Sequence, residues 1–259
     1  MLLKHDQHRL LHTPTPAAPD RFSGLAVSSS GYTLAPMTTV FQPGRENNFR
    51  FRILDDFGKT VQSFEQHHER PLHLIVIRRD LKHFQHLHPQ IDQTGTWSVP
   101  LTLPEAGVYR IFTDFLRYSQ AVTLGVDLAV VGNMPLNPPP KPSSVARTGG
   151  YEVHLETREL KTATNSLLSF VITQDGKPVQ GLGTYLGARG HLVALREGDL
   201  AYLHVHAMNS NDTKHSIQFH AAFPSFGRYR LFLEFSHSGV IHRAEFSVEV
   251  PASAADQAS

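Results

Sequence analysis

Sixteen residues recur in this chain with the same histidines in the same places, and that repetition limits the possible folds more than any other feature. From His73 the chain reads HLIVIRRDLKHFQHLH, ending at His88, and from His191 it reads HLVALREGDLAYLHVH, ending at His206. The copies agree without a gap at His73 and His191, Leu74 and Leu192, Arg78 and Arg196, His86 and His204, and His88 and His206. In each, runs of Ile, Val, Leu and aromatic residues flank a short polar segment, Arg79 to Lys82 or Glu197 to Leu200, which is the pattern of a β-hairpin. With those four residues as the loop, Arg78 pairs with His83, His73 falls opposite His88, and His86 faces Ile75. Strand side chains alternate between faces, so the three imidazoles share one face at the end of the hairpin away from the turn. His191, His204 and His206 follow by the same count. Directly opposed Cβ atoms lie about 4.5–5.5 Å apart, close enough for three ring nitrogens to reach one ion at the roughly 2.0–2.1 Å of a Zn–N bond. One residue more or less in the loop would turn His73 to the other face.

The repetition extends well beyond the hairpins. Adding 118 carries Asn47 to Asn165, Gly58 to Gly176, Lys59 to Lys177, Val61 to Val179 and His73 to His191. A register held over about forty positions marks an internal duplication. After the hairpins the offset becomes 120, and PEAGVYRIFTDF from Pro104 matches PSFGRYRLFLEF from Pro224. A turn, then Gly-x-Tyr, then an alternating strand is the pattern of a tyrosine corner, whose hydroxyl bonds back to the main chain. NNFRFRIL from Asn47 and WSVPLTL from Trp97 alternate as half-buried strands do. About seven short strands in about 100 residues, twice and without a helical period, predict an all-β chain of two tandem immunoglobulin-like β-sandwich domains. The expected limits are a disordered tail over 1–30, a first repeat over 31–131, a Pro-rich linker over 132–149, a second repeat over 150–250 and a disordered tail over 251–259.

Composition removes several function classes. The 259 residues are 40% hydrophobic and 18% charged with a net charge of +1, which gives no electrostatic grip on nucleic acid or on a membrane surface. Cysteine is absent, so disulfides, thiolate metal sites and a cysteine nucleophile are excluded. No apolar run approaches the roughly 20 residues that span a bilayer. The opening MLLKHDQHRLLHTPTPAAPD lacks the apolar core of a signal peptide, so the expectation is a cytoplasmic protein or a start from which an export signal is missing. Seventeen histidines are the one compositional oddity.

A single histidine in such a pattern is ordinarily a core or rim residue bonded to backbone. Three neutral imidazoles on one face are a common arrangement for zinc or Cu(II) and a poor filling for an apolar core. His73, His86 and His88, with His191, His204 and His206, are therefore the candidate metal ligands. His68 and His83 are optional additions to the first set. Asp114 and Glu234, matched across the repeats, are candidate fourth ligands or acceptors orienting an imidazole N–H, or else exposed acids. Arg78 and Arg196 are candidate partners for those acids, and Met208 is a candidate soft ligand for copper. His5, His8 and His12 fall in the tail. The leading expectation is a non-catalytic protein binding Cu(II) or Zn(II) through a histidine triplet in each repeat. The alternative is a structural or protein-interaction module whose histidines are structural. A zinc-dependent hydrolase is the third reading, without a Ser-His-Asp order, a phosphate loop or an HExxH motif to support it.

HLIVIRRDLKHFQHLHP, followed by GTW and AGVYRIFTDF, together with YLGARGHLVALREGDLAYLHVH and FGRYRLFLEF, resembles a poorly characterised group of bacterial two-repeat β-sandwich proteins. Their relatives are often predicted to be exported and are sometimes joined to heavy-metal-binding modules. The likeness covers roughly residues 32 to 250. It implies an extracytoplasmic, periplasmic setting, metal handling and another envelope protein as a partner, but no activity or ligand assignment.

Overall fold

The computed structural model describes residues 22–134, 138–157, 159–207 and 216–252, without the side chains of His204, His206 and Ala207. Among the described residues there is no helix, so none is long and apolar enough to cross a membrane. The first repeat contains β1 (Ser28–Ser29), β2 (Tyr32–Pro36), β3 (Val40–Phe41), β4 (Glu46–Asp55), β5 (His73–Arg78), β6 (Gln85–Leu87), β7 (Gln90–Ile91), β8 (Trp97–Thr102), β9 (Gly107–Arg117) and β10 (Gln120–Val130). The second contains β11 (Val145–Thr148), β12 (Tyr151–Glu156), β13 (Ser166–Gln174), β14 (Lys177–Pro178), β15 (Gly190–Arg196), β16 (Tyr202–Ala207), β17 (Ser216–Ala221), β18 (Gly227–His237) and β19 (Val240–Val250). Both repeats are immunoglobulin-like sandwiches, as the alternation in the sequence indicates. The strand β11 begins inside the segment expected to be linker.

Sheet order in the first repeat is β1-β2-β4-β8-β7 on one side and β3-β10-β9-β5-β6 on the other. Phe49, Phe51 and Ile53 alternate inward from β4, with Arg50 and Arg52 between them on the outer face. They pack with Trp97, Leu74 and Val76 into one apolar core. The corner tyrosines do what Gly-x-Tyr foretells: the Tyr109 hydroxyl donates to the Glu105 carbonyl and the Tyr229 hydroxyl to the Ser225 carbonyl, each at 3.0 Å. In the second repeat the strands run in one continuous path, β11-β12-β13-β17-β16-β15-β18-β19, with β14 paired to β13 beside it, because β16 pairs with β15 along its first part and with β17 through His206 and Ala207. The first repeat makes the same switch of sheet in two pieces, β6 and β7, split at His88 and Pro89. Proline has no N–H for the ladder, whereas Ala207 at the matching position lets the strand run on.

The strand β5 is buried on both faces. Leu74 and Val76 point into their own sandwich, while Ile75 and Ile77 point out of it and against the second repeat. There they meet Phe84, Phe112, Val193, Leu195, Leu200, Tyr202 and Phe232 in a third apolar cluster shared by the two repeats. The contact is close to two-fold. Phe84 stacks on Phe232 with ring centroids 4.1 Å apart, and Tyr202, the counterpart of Phe84, packs on Phe112, the counterpart of Phe232, at 5.3 Å. Such reciprocal pairing is the mark of an isologous interface, here between two halves of one chain.

The end of the expected N-terminal tail belongs to the fold. Ser23 pairs with Tyr202 of the second repeat, while Gly24 and Ala26 bond to Thr123 and Gly125 of β10 in the first. The strap fits only because both facing positions are glycine. A Cβ at Gly125 would stand 2.1 Å from the Gly24 carbonyl oxygen, and one at Gly24 would stand 2.6 Å from the Phe112 ring.

Candidate functional site

The first hairpin has the register that its four-residue loop sets. Leu74 pairs with Leu87, Ile75 with His86 and Val76 with Gln85, and continuing that ladder sets His73 against His88. The second hairpin matches, with Leu192 on Val205 and Val193 on His204. Because His73, Ile75 and Ile77 lie on the same face of β5, the imidazoles turn toward the seam between the repeats. They do not turn into the core of their own lobe; the sequence, which gives a triplet to each repeat, leaves open whether the two sets are separate or shared across the interface.

At the seam three rings converge. His73 and His86 have centroids 5.1 Å apart, His73 and His88 5.1 Å, and His86 and His88 4.8 Å. One nitrogen from each lies within 4.8 Å of the others. His191, from the second repeat, comes to 6.3 Å from His86 and 5.3 Å from His68. A cavity of about 20 Å³ is bounded by His68, His73, His86 and Asp114 from one repeat and by His191 and Tyr202 from the other. That is room for one water-sized guest.

The hydrogen bonds fix how the rings are presented. The chain turns tightly at His67–Arg70, with His68 and Glu69 both at positive φ, and again at Tyr185–Ala188, 118 residues on. Each turn hangs a carbonyl over the histidine six residues later. His73 donates Nε2–H to the His67 oxygen at 2.9 Å, and His191 donates Nε2–H to the Tyr185 oxygen at 2.7 Å. A carbonyl can only accept, so Nε2 of each ring is protonated, and in the neutral form the lone pair lies on Nδ1. His86 gives Nδ1–H to the carboxylate of Glu234, across the seam, at 2.7 Å. Its Nε2 then faces His73 Nδ1 at 2.9 Å. Two such nitrogens stay that close only with something positive between them, a proton on one ring or a cation shared by both. His88 Nε2 is buried and has no hydrogen-bond partner among the described residues.

Burial keeps His73 and His88 neutral. Burial first, and the His86 ring second, push the His73 imidazole from the usual 6.5 down to about 2 and that of His88 down to about 4. Two buried acids stand beside them. Asp114 is 1% exposed, is paired with His73 across β5 and β9, and accepts from the Thr123 hydroxyl at 3.1 Å. Glu234 is 8% exposed and pairs with His191 across β15 and β18. Burial and the Glu234 charge raise the Tyr185 phenol to about 12.

Other candidates lie elsewhere. His83 sits at the turn end of its hairpin, 3.2 Å from Glu105, and takes no part in the cluster. Arg78 is held by Asp80 and Glu105 and Arg196 by Asp199 and Ser225, so neither pairs with Asp114 or Glu234 as the sequence suggested. The local acids in each hairpin loop are nearer and satisfy the guanidinium. His204 and His206 are placed in β16 by their main chain, but their side chains, like Met208 and the histidines before Phe22, lie outside the described residues. The carbonyls of His67 and Tyr185 escape sequence reading because a main-chain acceptor leaves no residue type behind. Their one trace is the 118-residue offset shared with His73 and His191.

Residues 27–132 and 146–252 each match the domain of unknown function DUF8832. The chain belongs to the DUF8832 family. That family's description carries no ligand and no activity, and no curated protein matches the chain. Among solved structures, this DUF8832 protein is similar to the Escherichia coli adhesin FdeC, with 14% identity and a TM-score of 0.31 over 88% of this chain and 66% of that one. The Yersinia pseudotuberculosis adhesin InvE gives 10% and 0.26 over 86% and 60%. Domains 4–9 of the surface layer protein SbsC give 13% and 0.27 over 86% and 31%. The chain thus spans less than two thirds of each of these proteins.

Proposed function

We propose that this protein binds a divalent transition metal ion, Cu(II) or Zn(II), without catalysing a reaction, through His73, His86 and His88 at the seam between its repeats. The observation that carries the reading is orientation. His73 and His86 each tie their outward nitrogen to a carbonyl or a carboxylate and turn the other inward, as metal-ligating histidines do. With Zn–N bonds of 2.0–2.1 Å and tetrahedral angles, ligating ring centroids would lie about 5 Å apart, and the three observed separations are 5.1, 5.1 and 4.8 Å. Low proton affinity at His73 and His88 leaves their lone pairs available at neutral pH. Asp114 and Glu234 supply negative charge against which a divalent ion would be balanced.

A second reading has its own observation. The path from the His67 carbonyl through His73 and His86 to Glu234 links the repeats by hydrogen bonds alone. That is what a structural or protein-interaction module, docking a partner in an extracytoplasmic setting, would need of these histidines. Metal analysis and titration of the purified chain separate the two. Under the first reading the wild type takes up Cu(II) or Zn(II) stoichiometrically, and His86→Ala and His88→Ala lose it while keeping the β circular dichroism spectrum. Under the second the wild type takes up none, and His86→Ala costs only stability, about 1–3 kcal/mol for the stranded acceptors.

A further inference from the structure

The first-repeat triplet does not stand alone in the seam. His191 lines from the second repeat the cavity that His73 and His86 line from the first, and it is prepared in the same way as His73. The turns at His67 and Tyr185 are copies of one another, and each holds a proton on Nε2 of the histidine it covers, so that the neutral ring has its lone pair on Nδ1. Of the two acids beside the cluster, Glu234 belongs to the second repeat yet orients a histidine of the first. The duplication and the near two-fold contact therefore bring donor groups from both halves to one small volume.

We propose that His191 is a fourth ligand, so that a single ion is coordinated jointly by the two repeats and clamps them together. This rests on reading His73, His86 and His88 as a metal site. Four imidazoles with two flanking carboxylates form a closed set, the kind that holds an ion for structure and leaves no open position for substrate. The His191 ring stands 6.3 Å from that of His86, about 1 Å beyond the roughly 5 Å expected for ligands of one ion, and it lies outside the group in which His73, His86 and His88 bring their nitrogens within 4.8 Å of one another, so the proposal requires His191 to move inward when an ion enters. A clamp of this kind links occupancy to the docking of the halves, because an ion that binds only the docked form stabilises that form.

The test uses the full chain, stripped with a chelator and titrated with Cu(II) sulfate, as wild type and as His191→Ala. Affinity is read by competition with a coloured chelator, and the nitrogen donors are counted by electron paramagnetic resonance. The expected result is one ion per wild-type chain with four nitrogen donors. His191→Ala should show three, with affinity lowered by more than the roughly 10- to 100-fold that loss of an outer hydrogen-bond partner costs. If His191→Ala keeps the wild-type affinity and nitrogen count, the ion belongs to the first repeat alone and the joint site is wrong while the triplet stands. If the wild type itself binds no stoichiometric copper, the triplet reading fails and the clamp fails with it. Should His191→Ala not fold, histidine-selective ¹⁵N labelling of the wild type decides: four imidazole spin systems shifting on Zn(II) addition support the proposal, and a resonance of His191 that stays put overturns it.

Discussion

At the scale of single residues, the behaviour of the seam is governed by what burial does to an imidazole. In the metal-free protein His73 and His88 resist protonation until about pH 2 and pH 4, whereas in the unfolded chain they accept a proton near 6.5. Below 6.5 the unfolded state therefore binds more protons, and stability rises with pH. The contribution is complete above about pH 6.5 and is lost as the pH falls toward 4 for His88 and further toward 2 for His73. Each ring adds a slope of up to about 1.4 kcal/mol per pH unit. Urea unfolding of chelator-treated protein between pH 7 and pH 4.5, above the range in which most carboxylates titrate, should show the midpoint falling steadily. A flat profile there would mean that the rings are not held neutral. The sequence declared which histidines meet, since loop length and alternation set their register. It did not declare the main-chain carbonyls that hold His73 and His191, and although it offered Glu234 as an acceptor for an imidazole N–H, it did not show that the ring would be His86 of the other repeat.

At the scale of elements, the seam depends on a strand whose two faces serve two different cores. The unbroken apolar run of β5 is buried on both sides, which suits such a run, but nothing in HLIVIR says whether the second side meets a helix, a sheet or a second copy. That assignment came from the reciprocal pairs Phe84 with Phe232 and Tyr202 with Phe112, which are far apart in the chain. The strap at Phe22–Ala26 was equally silent in the sequence. It is held by main-chain bonds to Tyr202, Thr123 and Gly125 and by the Arg110 guanidinium donating to the carbonyls of Gly24 and Leu25 at 2.7 and 2.6 Å. Its polar, Ser- and Pro-rich flank reads as a tail because the fit lies in two glycines distant in sequence. Gly125→Ala should push the strap off β10, lowering stability by about 1–3 kcal/mol as overpacking does and speeding proteolysis ahead of β1. A variant as stable and as protease-resistant as the wild type would contradict the seating of the strap.

At the scale of the whole molecule, the duplication has two consequences that one repeat could not produce. It supplies two copies of a surface that pack against each other, and it gathers histidines and acids from both copies at the place where they meet. The two sandwiches, their strands and their tyrosine corners were legible from alternation, turn residues and the repeat offset. The joining of the halves was not, because the chain between Gly132 and Ser144 permits either separate or packed lobes. Where an ion settles when one is offered therefore decides whether the seam is a metal site. Crystals soaked in zinc or copper salt and measured at the metal absorption edge should give one anomalous peak per chain at the seam, about 2 Å from His73 Nδ1 and His86 Nε2. Density confined to an exposed histidine such as His220, with none between those two nitrogens, would contradict it.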